Sequence, residues 1–292
     1  MTENFFGVKI VKNERRLNMK FDYDSTYFNP EHTLDCGQVF RFKPYKDGYF
    51  LVSADKACYL HTDGIKTIAE SDDIDYFYDY FDLNRDYSEI VKRAKSYNIP
   101  LLSKSAESCK GLRMLLKQNR EEMIYSFIIS QNNNIPRIKG IIERICSGLG
   151  EELSSPFGEY YSFPSSKALA NTDVSFFKAA GAGYRDSYIT ETAKRISAEG
   201  IEKLENLSAE ELKKQLLTYK GIGAKVADCI SLFGFGKTRA FPVDTWIEKI
   251  YREDFHGELK DRNKISEYFV NEFGEYSGFI QQYLFYGKRL NL

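Results

Sequence analysis

The sequence has little of what metal centres and disulfide frameworks require. Its five cysteines form no C-x-x-C pair and lie at positions 36, 58, 109, 146 and 229. Its three histidines are far apart, at positions 32, 61 and 256. These spacings argue against a zinc knuckle and an iron–sulfur cluster, so we expect neither a metal nor a cofactor. Because the cysteine number is odd and no signal peptide precedes them, we expect reduced thiols and a cytoplasmic location.

A long apolar run and an excess of basic residues are also missing. No apolar run is long enough to span a membrane, so we expect no membrane partner. The formal net charge is −1 and the isoelectric point is about 6.4, whereas nucleic-acid-binding domains usually carry a basic patch. The acidic stretch SDDIDYFYDYFD at 71–82 could, however, offset a basic face elsewhere in the molecule.

The N-terminal part of the chain has the pattern of an antiparallel sheet. Short alternating runs are separated by turn-forming clusters around Gly48 and Gly64, which is typical of neighbouring strands joined by tight turns. We also expect helices over 73–82 and 87–97. The predicted strands are Phe6–Val11, Leu17–Phe21, Val39–Pro44, Tyr49–Val52 and Ala57–His61.

From Gly111 onward the hydrophobic periodicity is helical. The predicted helices are Arg120–Gln131, Ile135–Ser147, Ser166–Asn171, Ile189–Gly200, Ser208–Leu217, Lys225–Phe233, Thr245–Tyr251, Asp261–Phe273 and Gly278–Tyr286. The fold class is therefore α+β. We expect an N-terminal antiparallel-sheet domain over 1–112 and a mainly α-helical domain over 113–292. The junction has no flexible linker composition, so the two parts should pack together.

The segment LTYKGIGAKVADC at 217–229 predicts a helix, a glycine hairpin and a second helix, within about residues 210–235. Gly221 and Gly223 free the backbone, so that consecutive N–H groups can point outward at the start of the second helix. Such N–H groups bind anions, and a DNA phosphate is the obvious ligand. The alternative is an ordinary tight turn between two helices.

Lys225 and Asp244 could provide chemistry beside this hairpin. Lys225 lies in the first turn of its helix, where the positive end of the dipole disfavours a cation and favours the neutral amine that attacks electrophilic carbon. Cys229 lies one turn further along the same helical face. Asp244 precedes Thr-Trp-Ile-Glu-Lys-Ile, so it also fits the N-cap of the next helix, and it could serve both purposes.

Five ordered segments give the chain a resemblance to the helix-hairpin-helix DNA glycosylases, and within them to the 8-oxoguanine DNA glycosylase/AP lyases. They are GQVFR at 37–41, NNNIPRI at 132–138, GAGYR at 181–185, GIGAKVADC with PVDTW at 221–246, and Gln281 with Phe285. The resemblance implies that the enzyme flips a damaged nucleotide out of duplex DNA. It also implies that Lys225 displaces the oxidised base through a Schiff base, that β-elimination follows, and that Asp244 stabilises the charge on the sugar.

The resemblance assigns a pocket for the flipped base. Oxidation of guanine at C8 converts N7 from an acceptor to a donor, and the family match gives the backbone carbonyl of Gly37 the task of detecting this donor. Gln281 would bind the Watson–Crick edge, and Phe285 and Cys229 would sandwich the ring. Phe233, on the lysine helix, could line the same pocket and alter its shape.

The resemblance also assigns contacts to the emptied duplex. Tyr184 would be the wedge beside the vacated stack, and Asn132 would occupy the gap. Arg137 and Arg185 would donate hydrogen bonds to the orphaned cytosine. At position 246, where better-known members have a histidine that is thought to contact a phosphate, this chain has Trp246, which puts that contact in doubt.

The expected partner is double-stranded DNA that contains 8-oxoguanine, with cytosine opposite the lesion. We expect a monomer that is nucleoid-associated through DNA binding. Two alternatives stay open at this point. One is a sibling glycosylase of the same fold that removes a different damaged base, and the other is a non-catalytic DNA-binding module.

Overall fold

The computed structural model describes residues 19–292 and, before them, only the backbone of the short segments 4–5, 8–9 and 11–12. Half of the predicted strand over 6–11 lies outside the described residues, as does the beginning of the predicted strand over 17–21. In the described part of the chain, no helix is long and apolar enough to cross a membrane.

The main sheet is antiparallel, with strand order β3-β4-β8-β7-β6-β5. Two-residue turns join its central strands, and Ala54 and Gly64 provide the positive φ angles that such turns need, 54° and 58°. Two separate hairpins pair β1 with β2 and β9 with β10. The strands are β1 (Asn4–Phe5), β2 (Val8–Lys9), β3 (Val11–Lys12), β4 (Met19–Asp24), β5 (Phe42–Tyr45), β6 (Gly48–Ser53), β7 (Lys56–Asp63), β8 (Lys66–Ser71), β9 (Glu152–Ser155) and β10 (Gly158–Tyr161).

Helices make up most of the remaining chain. They are α1 (Pro30–Leu34), α2 (Ile74–Tyr80), α3 (Tyr87–Ser96), α4 (Pro100–Ser108), α5 (Arg120–Ser130), α6 (Ile135–Leu149), α7 (Ser166–Ala170), α8 (Val174–Ala179), α9 (Asp186–Glu199), α10 (Glu202–Glu205), α11 (Ala209–Leu216), α12 (Ala224–Cys229), α13 (Thr245–Glu253), α14 (Arg262–Phe273) and α15 (Ser277–Arg289). The predicted α+β class is confirmed.

The described residues form two main hydrophobic cores and a small third cluster, which packs the β9–β10 hairpin on the sheet through residues such as Phe50 and Phe157. The smaller of the two main cores lies between the sheet and α2 and includes Phe21, Leu60 and Phe77. The larger one fills the helical part, and α3 and α4 contribute to it through residues such as Ile90 and Leu102. Helices α3 and α4 precede the predicted boundary at 112/113, so the sheet-containing part of the chain also helps to build the helical core. The boundary itself stays a prediction.

Buried polar side chains join the two parts, which pack together as expected. The amide of Gln38 donates to the carbonyl of Arg113 at 2.7 Å and accepts from the backbone N–H of Leu115 at 2.9 Å. The guanidinium of Arg41 and the carboxylate of Glu122 form a buried ion pair at 3.4 Å. Burial raises the pKa of Glu122, and the charge of Arg41 opposes that rise. The segment around Gly37 is thereby fixed against the helical core.

Candidate active site

The predicted hairpin between α11 and α12 is present, and its two glycines have different surroundings. Gly221 has φ of 79°, and a Cβ at this position would overlap the ring of Tyr188, 2.6 Å from Cε2. Gly223 is the exposed N-cap of α12 with φ of −89°, and a Cβ there would meet nothing within 4 Å. The fold therefore requires glycine at 221, whereas the outer face of Gly223 is open to a ligand.

Lys225, the second residue of α12, lies where a small cavity meets a broad groove. Its side chain lines both spaces, and its Nζ is 5.8 Å from the ring centroid of Phe127. After one and a half turns the lysine helix passes into a π-helical turn over 230–234. Such turns are rare and often occur at functional sites.

Asp244 lines the same cavity and the same groove as Lys225. It is also the N-cap of α13, and its Oδ1 accepts a hydrogen bond of 2.9 Å from the backbone N–H of Ile247. The cap fixes the orientation of the carboxylate, because one oxygen is bound to the helix end. The predicted role of Asp244 as the N-cap of this helix is therefore confirmed.

This cavity is lined by all five residues that are predicted to bind the base: Gly37, Cys229, Phe233, Gln281 and Phe285. The Oε1 atom of Gln281 is buried without a hydrogen-bond partner. An unsatisfied buried acceptor is costly, so a ligand with a donor at this edge would be favoured.

The cavity measures about 50 Å³, well below the roughly 300–1000 Å³ of typical ligand pockets. Phe285 is only half-buried, and its Cε1 atom would lie 3.6 Å from a Cβ placed on Gly37. A purine ring therefore needs a wider cavity than this one, and the ring of Phe285 borders it beside Gly37.

The backbone around Gly37 is held from both sides. Gly37 has φ of 84°, in the left-handed region that favours glycine. The side-chain amide of Gln282 donates a 2.7 Å hydrogen bond to the carbonyl of Cys36. On the other side, the amide of Gln118 donates to the carbonyl of Gln38 at 2.9 Å. Gly37 therefore has a backbone conformation that favours glycine, and hydrogen bonds to the carbonyls of Cys36 and Gln38 hold the residues on either side of it.

Cys229 and Phe233 form one wall of the cavity. Burial raises the pKa of the Cys229 thiol to about 11, and the nearby Lys225 charge opposes this rise. The thiol is therefore neutral at physiological pH and acts as a small apolar surface. The Phe233 ring stacks on that of Phe127, with centroids 5.5 Å apart.

The groove measures about 1150 Å³ and is lined by Asn132, Gly223 and Trp246, three of the residues that are expected to contact DNA. Trp246 is 44 % exposed. The charges along the groove are mixed. The cations are Lys225, Lys260, Arg262 and Arg289, and the carboxylates are Asp244, Glu248 and Asp261. Arg262 is already paired with Glu248 at 2.8 Å, so the groove is only weakly basic.

The predicted wedge is exposed beside the groove. Tyr184 is 51 % exposed, and the Nδ2 atom of Asn132 donates to its hydroxyl at 3.4 Å. Arg137 is also exposed, and its Nη2 donates to the carbonyl of Gly181 at 3.3 Å. Asn132, Arg137 and Tyr184 therefore share one edge of the molecule.

Arg185 is buried beside the same edge. It is only 2 % exposed, and its guanidinium donates to the carbonyls of Gln131, Asn132 and Ala182. With these donors occupied by backbone, Arg185 supports the loop that presents Asn132. Its expected contact with the cytosine stays a prediction.

Sequence reasoning missed four residues that line the cavity: Cys36, Phe127, Pro242 and Gln282. It also missed Tyr188 and Asp228, which contact the hairpin. Phe127 lies in the apolar helix α5, and no local signal separates it from core. Asp228 is buried and pairs with Lys213 at 2.9 Å, which joins the two helices of the hairpin. Its position three residues after Lys225 was the available signal. Among the described residues, no group of three His, Cys, Asp or Glu side chains could hold a metal ion.

Two family models match adjacent parts of the chain. Residues 20–124 match the family described as the 8-oxoguanine DNA glycosylase N-terminal domain. Residues 125–274 match the family described as HhH-GPD superfamily base excision DNA repair proteins.

Similar individual proteins come from archaea, plants and bacteria. A probable N-glycosylase/DNA lyase of Methanothermobacter thermautotrophicus is 31 % identical, over 75 % of this chain and 74 % of its own length. The N-glycosylase/DNA lyase OGG1 of Arabidopsis thaliana is 34 % identical, over 64 % of this chain and 54 % of its own length.

A solved structure extends the similarity to nearly the whole chain. The Clostridium acetobutylicum 8-oxoguanine glycosylase/lyase, in complex with double-stranded DNA containing cytosine opposite 8-oxoguanine, superimposes with a TM-score of 0.88 and 33 % identity. The alignment covers 97 % of this chain and 98 % of that one. The chain therefore belongs to the HhH-GPD superfamily of base excision DNA repair proteins, in which it is an 8-oxoguanine DNA glycosylase.

Proposed function

We propose that this 8-oxoguanine DNA glycosylase and AP lyase uses Lys225 as its nucleophile and Asp244 as the charged partner of the reacting sugar. One observation carries the proposal: both side chains line the small cavity and also the groove that leads to it. A nucleotide flipped from a duplex in the groove would place its base in the cavity and its sugar between these two residues.

The reaction follows from the chemistry of an amine. The lone pair of Nζ attacks C1′ of the deoxyribose, and the glycosidic bond breaks with its electron pair going to the base, which takes up a proton. Loss of a proton from the attached nitrogen and opening of the sugar ring give a Schiff base. A proton then leaves C2′, and the C3′–O bond breaks, which nicks the strand on the 3′ side of the lesion.

Asp244 stabilises the positive charge that develops on the sugar as the base departs. Its Oδ1 is bound by the Ile247 N–H, so the carboxylate does not need to reorganise at the moment of reaction. This fixed anion near the anomeric carbon is the second requirement of the mechanism.

Recognition of the base rests on Gly37, Gln281 and the two apolar walls. The carbonyl of Gly37 accepts a hydrogen bond from N7–H of 8-oxoguanine, and it faces a lone pair when normal guanine enters. Gln281 binds the Watson–Crick edge through the amide whose Oε1 is buried without a partner. Phe285 moves to stack on one face of the ring, and Cys229 covers the other.

Contacts to the duplex come from the edge that carries Asn132, Tyr184 and Arg137. Tyr184 inserts beside the vacated stack, Asn132 fills the gap, and Arg137 donates to the opposite cytosine. Gly221 and Gly223 bind a phosphate, and Trp246 donates from its indole N–H to another. The preference for cytosine is supported by the bacterial complex, which contains that pair. We further propose that the enzyme acts as a monomer on DNA in the cytoplasm.

The proposal is tested by incubating the protein with labelled duplexes that carry 8-oxoguanine opposite each of the four bases. Release of the base and strand cleavage are measured separately, with and without added alkali. The account predicts release of 8-oxoguanine, fastest opposite cytosine, and cleavage without alkali. Release of normal guanine at a similar rate would contradict it.

A further inference from the structure

Tyr188 connects the hairpin to the wedge, although it lies in neither motif. It is the third residue of α9 and follows Tyr184 by one helical turn. Its ring occupies the space that a side chain at position 221 would need. The same ring meets that of Tyr184 edge to face, with centroids 5.8 Å apart and an interplanar angle of 76°. One side chain thus contacts both DNA-binding elements.

The wedge is also held from a second side. The guanidinium of Arg185 lies 4.4 Å from the ring centroid of Tyr184, and it is itself anchored on the carbonyls of the loop that carries Asn132. Tyr184 remains half exposed, yet Tyr188 and Arg185 support it. A half-exposed aromatic side chain without such supports would sample several rotamers and would lose that conformational freedom each time it inserted into DNA.

We propose that Tyr188 is a positioning residue that couples phosphate binding at the hairpin to insertion of Tyr184 during base flipping. The inference rests on the proposed function. A phosphate bound at Gly221 and Gly223 fixes the hairpin, the hairpin fixes the ring of Tyr188, and that ring holds Tyr184 in its inserting orientation. Glycine at 221 is required for this contact as well as for its backbone conformation, because a side chain would displace Tyr188.

The test is a double-mutant cycle on single-turnover excision of 8-oxoguanine opposite cytosine. Tyr188→Leu removes the ring, Tyr188→Phe keeps it, and Tyr184→Ala removes the wedge. We expect Tyr188→Leu to slow excision by roughly 10- to 100-fold, since a misplacement of about 1 Å can cost about 100-fold, whereas Tyr188→Phe stays close to the wild type. In the Tyr184→Ala background, Tyr188→Leu should slow excision by less than a further factor of about 2, because the effects of coupled residues are not additive.

A second readout follows flipping itself. With 2-aminopurine beside the lesion, Tyr188→Leu should lose the fast fluorescence rise that reports unstacking, while its Kd for an undamaged duplex stays within about 2-fold of the wild type. A merely structural defect would instead weaken binding of the undamaged duplex and of the lesion-containing duplex to the same extent. The thermal midpoint of each variant is recorded, and Tyr188→Met replaces Tyr188→Leu if the latter is unfolded at the assay temperature.

The outcomes separate the inference from the proposed function. If the wild type and Tyr188→Phe excise 8-oxoguanine but the losses of Tyr184→Ala and Tyr188→Leu multiply, the two residues act independently and the coupling is overturned. If the wild type releases no 8-oxoguanine, the proposed function itself fails. Excision by the wild type, together with losses that do not multiply in the double mutant, supports both the proposed function and the coupling through Tyr188.

Discussion

The side-chain amide of Gln282 donates a 2.7 Å hydrogen bond to the carbonyl of Cys36 across 246 positions of the chain. This contact links the last helix to the residue before Gly37. The neighbouring Gln281 faces the cavity, with its Oε1 buried and unpartnered. Two adjacent glutamines therefore have different surroundings: Gln282 supports the backbone beside Gly37, and Gln281 has an acceptor free for a ligand.

Replacing Gln282 by Met should relax the choice between 8-oxoguanine and guanine. Methionine has a similar length but cannot donate, so the Cys36 carbonyl loses its partner and the Gly37 carbonyl loses its fixed position. One hydrogen bond contributes about 0.5–1.5 kcal/mol, so the ratio of the two excision rates should fall by up to about 10-fold. Gln281→Met is the matched control and should slow 8-oxoguanine excision instead. An unchanged ratio in Gln282→Met would remove the supporting role.

The two hairpin glycines should respond differently to alanine. Gly223→Ala places a methyl group in open space at a φ that any residue adopts, so the thermal midpoint should stay within about 2 °C. DNA binding should weaken roughly 10-fold, because the methyl group keeps a phosphate from the backbone N–H groups. Gly221→Ala should lower the midpoint, since it meets Tyr188. Fluorescence anisotropy and thermal unfolding measure the two effects, and equal DNA affinity of Gly223→Ala and wild type would contradict the phosphate site.

Arg137→Ala should relax the preference for cytosine opposite the lesion. Arg137 is exposed and makes one 3.3 Å contact to a carbonyl, so its guanidinium is available to DNA. We expect the excision ratio for cytosine over the other three bases to fall roughly 10-fold. Arg185→Ala should chiefly lower the thermal midpoint, because it leaves the Gln131 and Asn132 carbonyls without their donor. A cytosine preference that survives Arg137→Ala would show that another group reads this base.

Asp228 should make stability depend on pH. Burial raises its pKa from 3.8 to about 6, against the opposing charge of Lys213. The folded chain therefore binds the proton more tightly than the unfolded chain. The resulting stabilisation is full below about pH 4 and is lost as the pH rises through 6, with a total of about 3 kcal/mol. The side chain at this position cannot titrate in the Asp228→Asn variant. The free energy of unfolding of the variant should therefore rise relative to that of the wild type between pH 4 and 7. Urea unfolding of both proteins measures this difference, and parallel profiles would contradict it.

The sequence predicts those parts of the fold that local pattern determines. The α11–α12 hairpin follows from glycine spacing, and the Asp244 cap follows from an Asp before an amphipathic helix. Strand β8 was missed because its residues Lys66–Ser71 read as polar, although the sheet buries alternate positions. The β9–β10 hairpin was missed because it interrupts a long helical region. The strand predicted at 39–44 begins at Phe42, since Gln38 anchors the preceding residues to the helical part.

The site residues also divide into those that local sequence pattern predicts and those that it does not. Gly37, Gln281 and Phe285 have no local signal of function, and only the family resemblance gathers them with Lys225. The burial of Arg185 could not be read from the sequence, because an arginine after a tyrosine in a glycine-rich turn looks solvent-exposed. Tyr188 likewise looks like an ordinary amphipathic-helix residue. Its contact with Gly221 exists only after two segments 33 positions apart have packed.

The most direct test of the whole account is borohydride trapping on a duplex with 8-oxoguanine opposite cytosine, followed by peptide mapping of the adduct. The wild type should become covalently attached to the DNA through the peptide that contains Lys225. Lys225→Gln should give no adduct while binding the same duplex with a Kd within about 3-fold of the wild type. An adduct at another residue, or trapping that persists in Lys225→Gln, would contradict the central claim that Lys225 is the nucleophile.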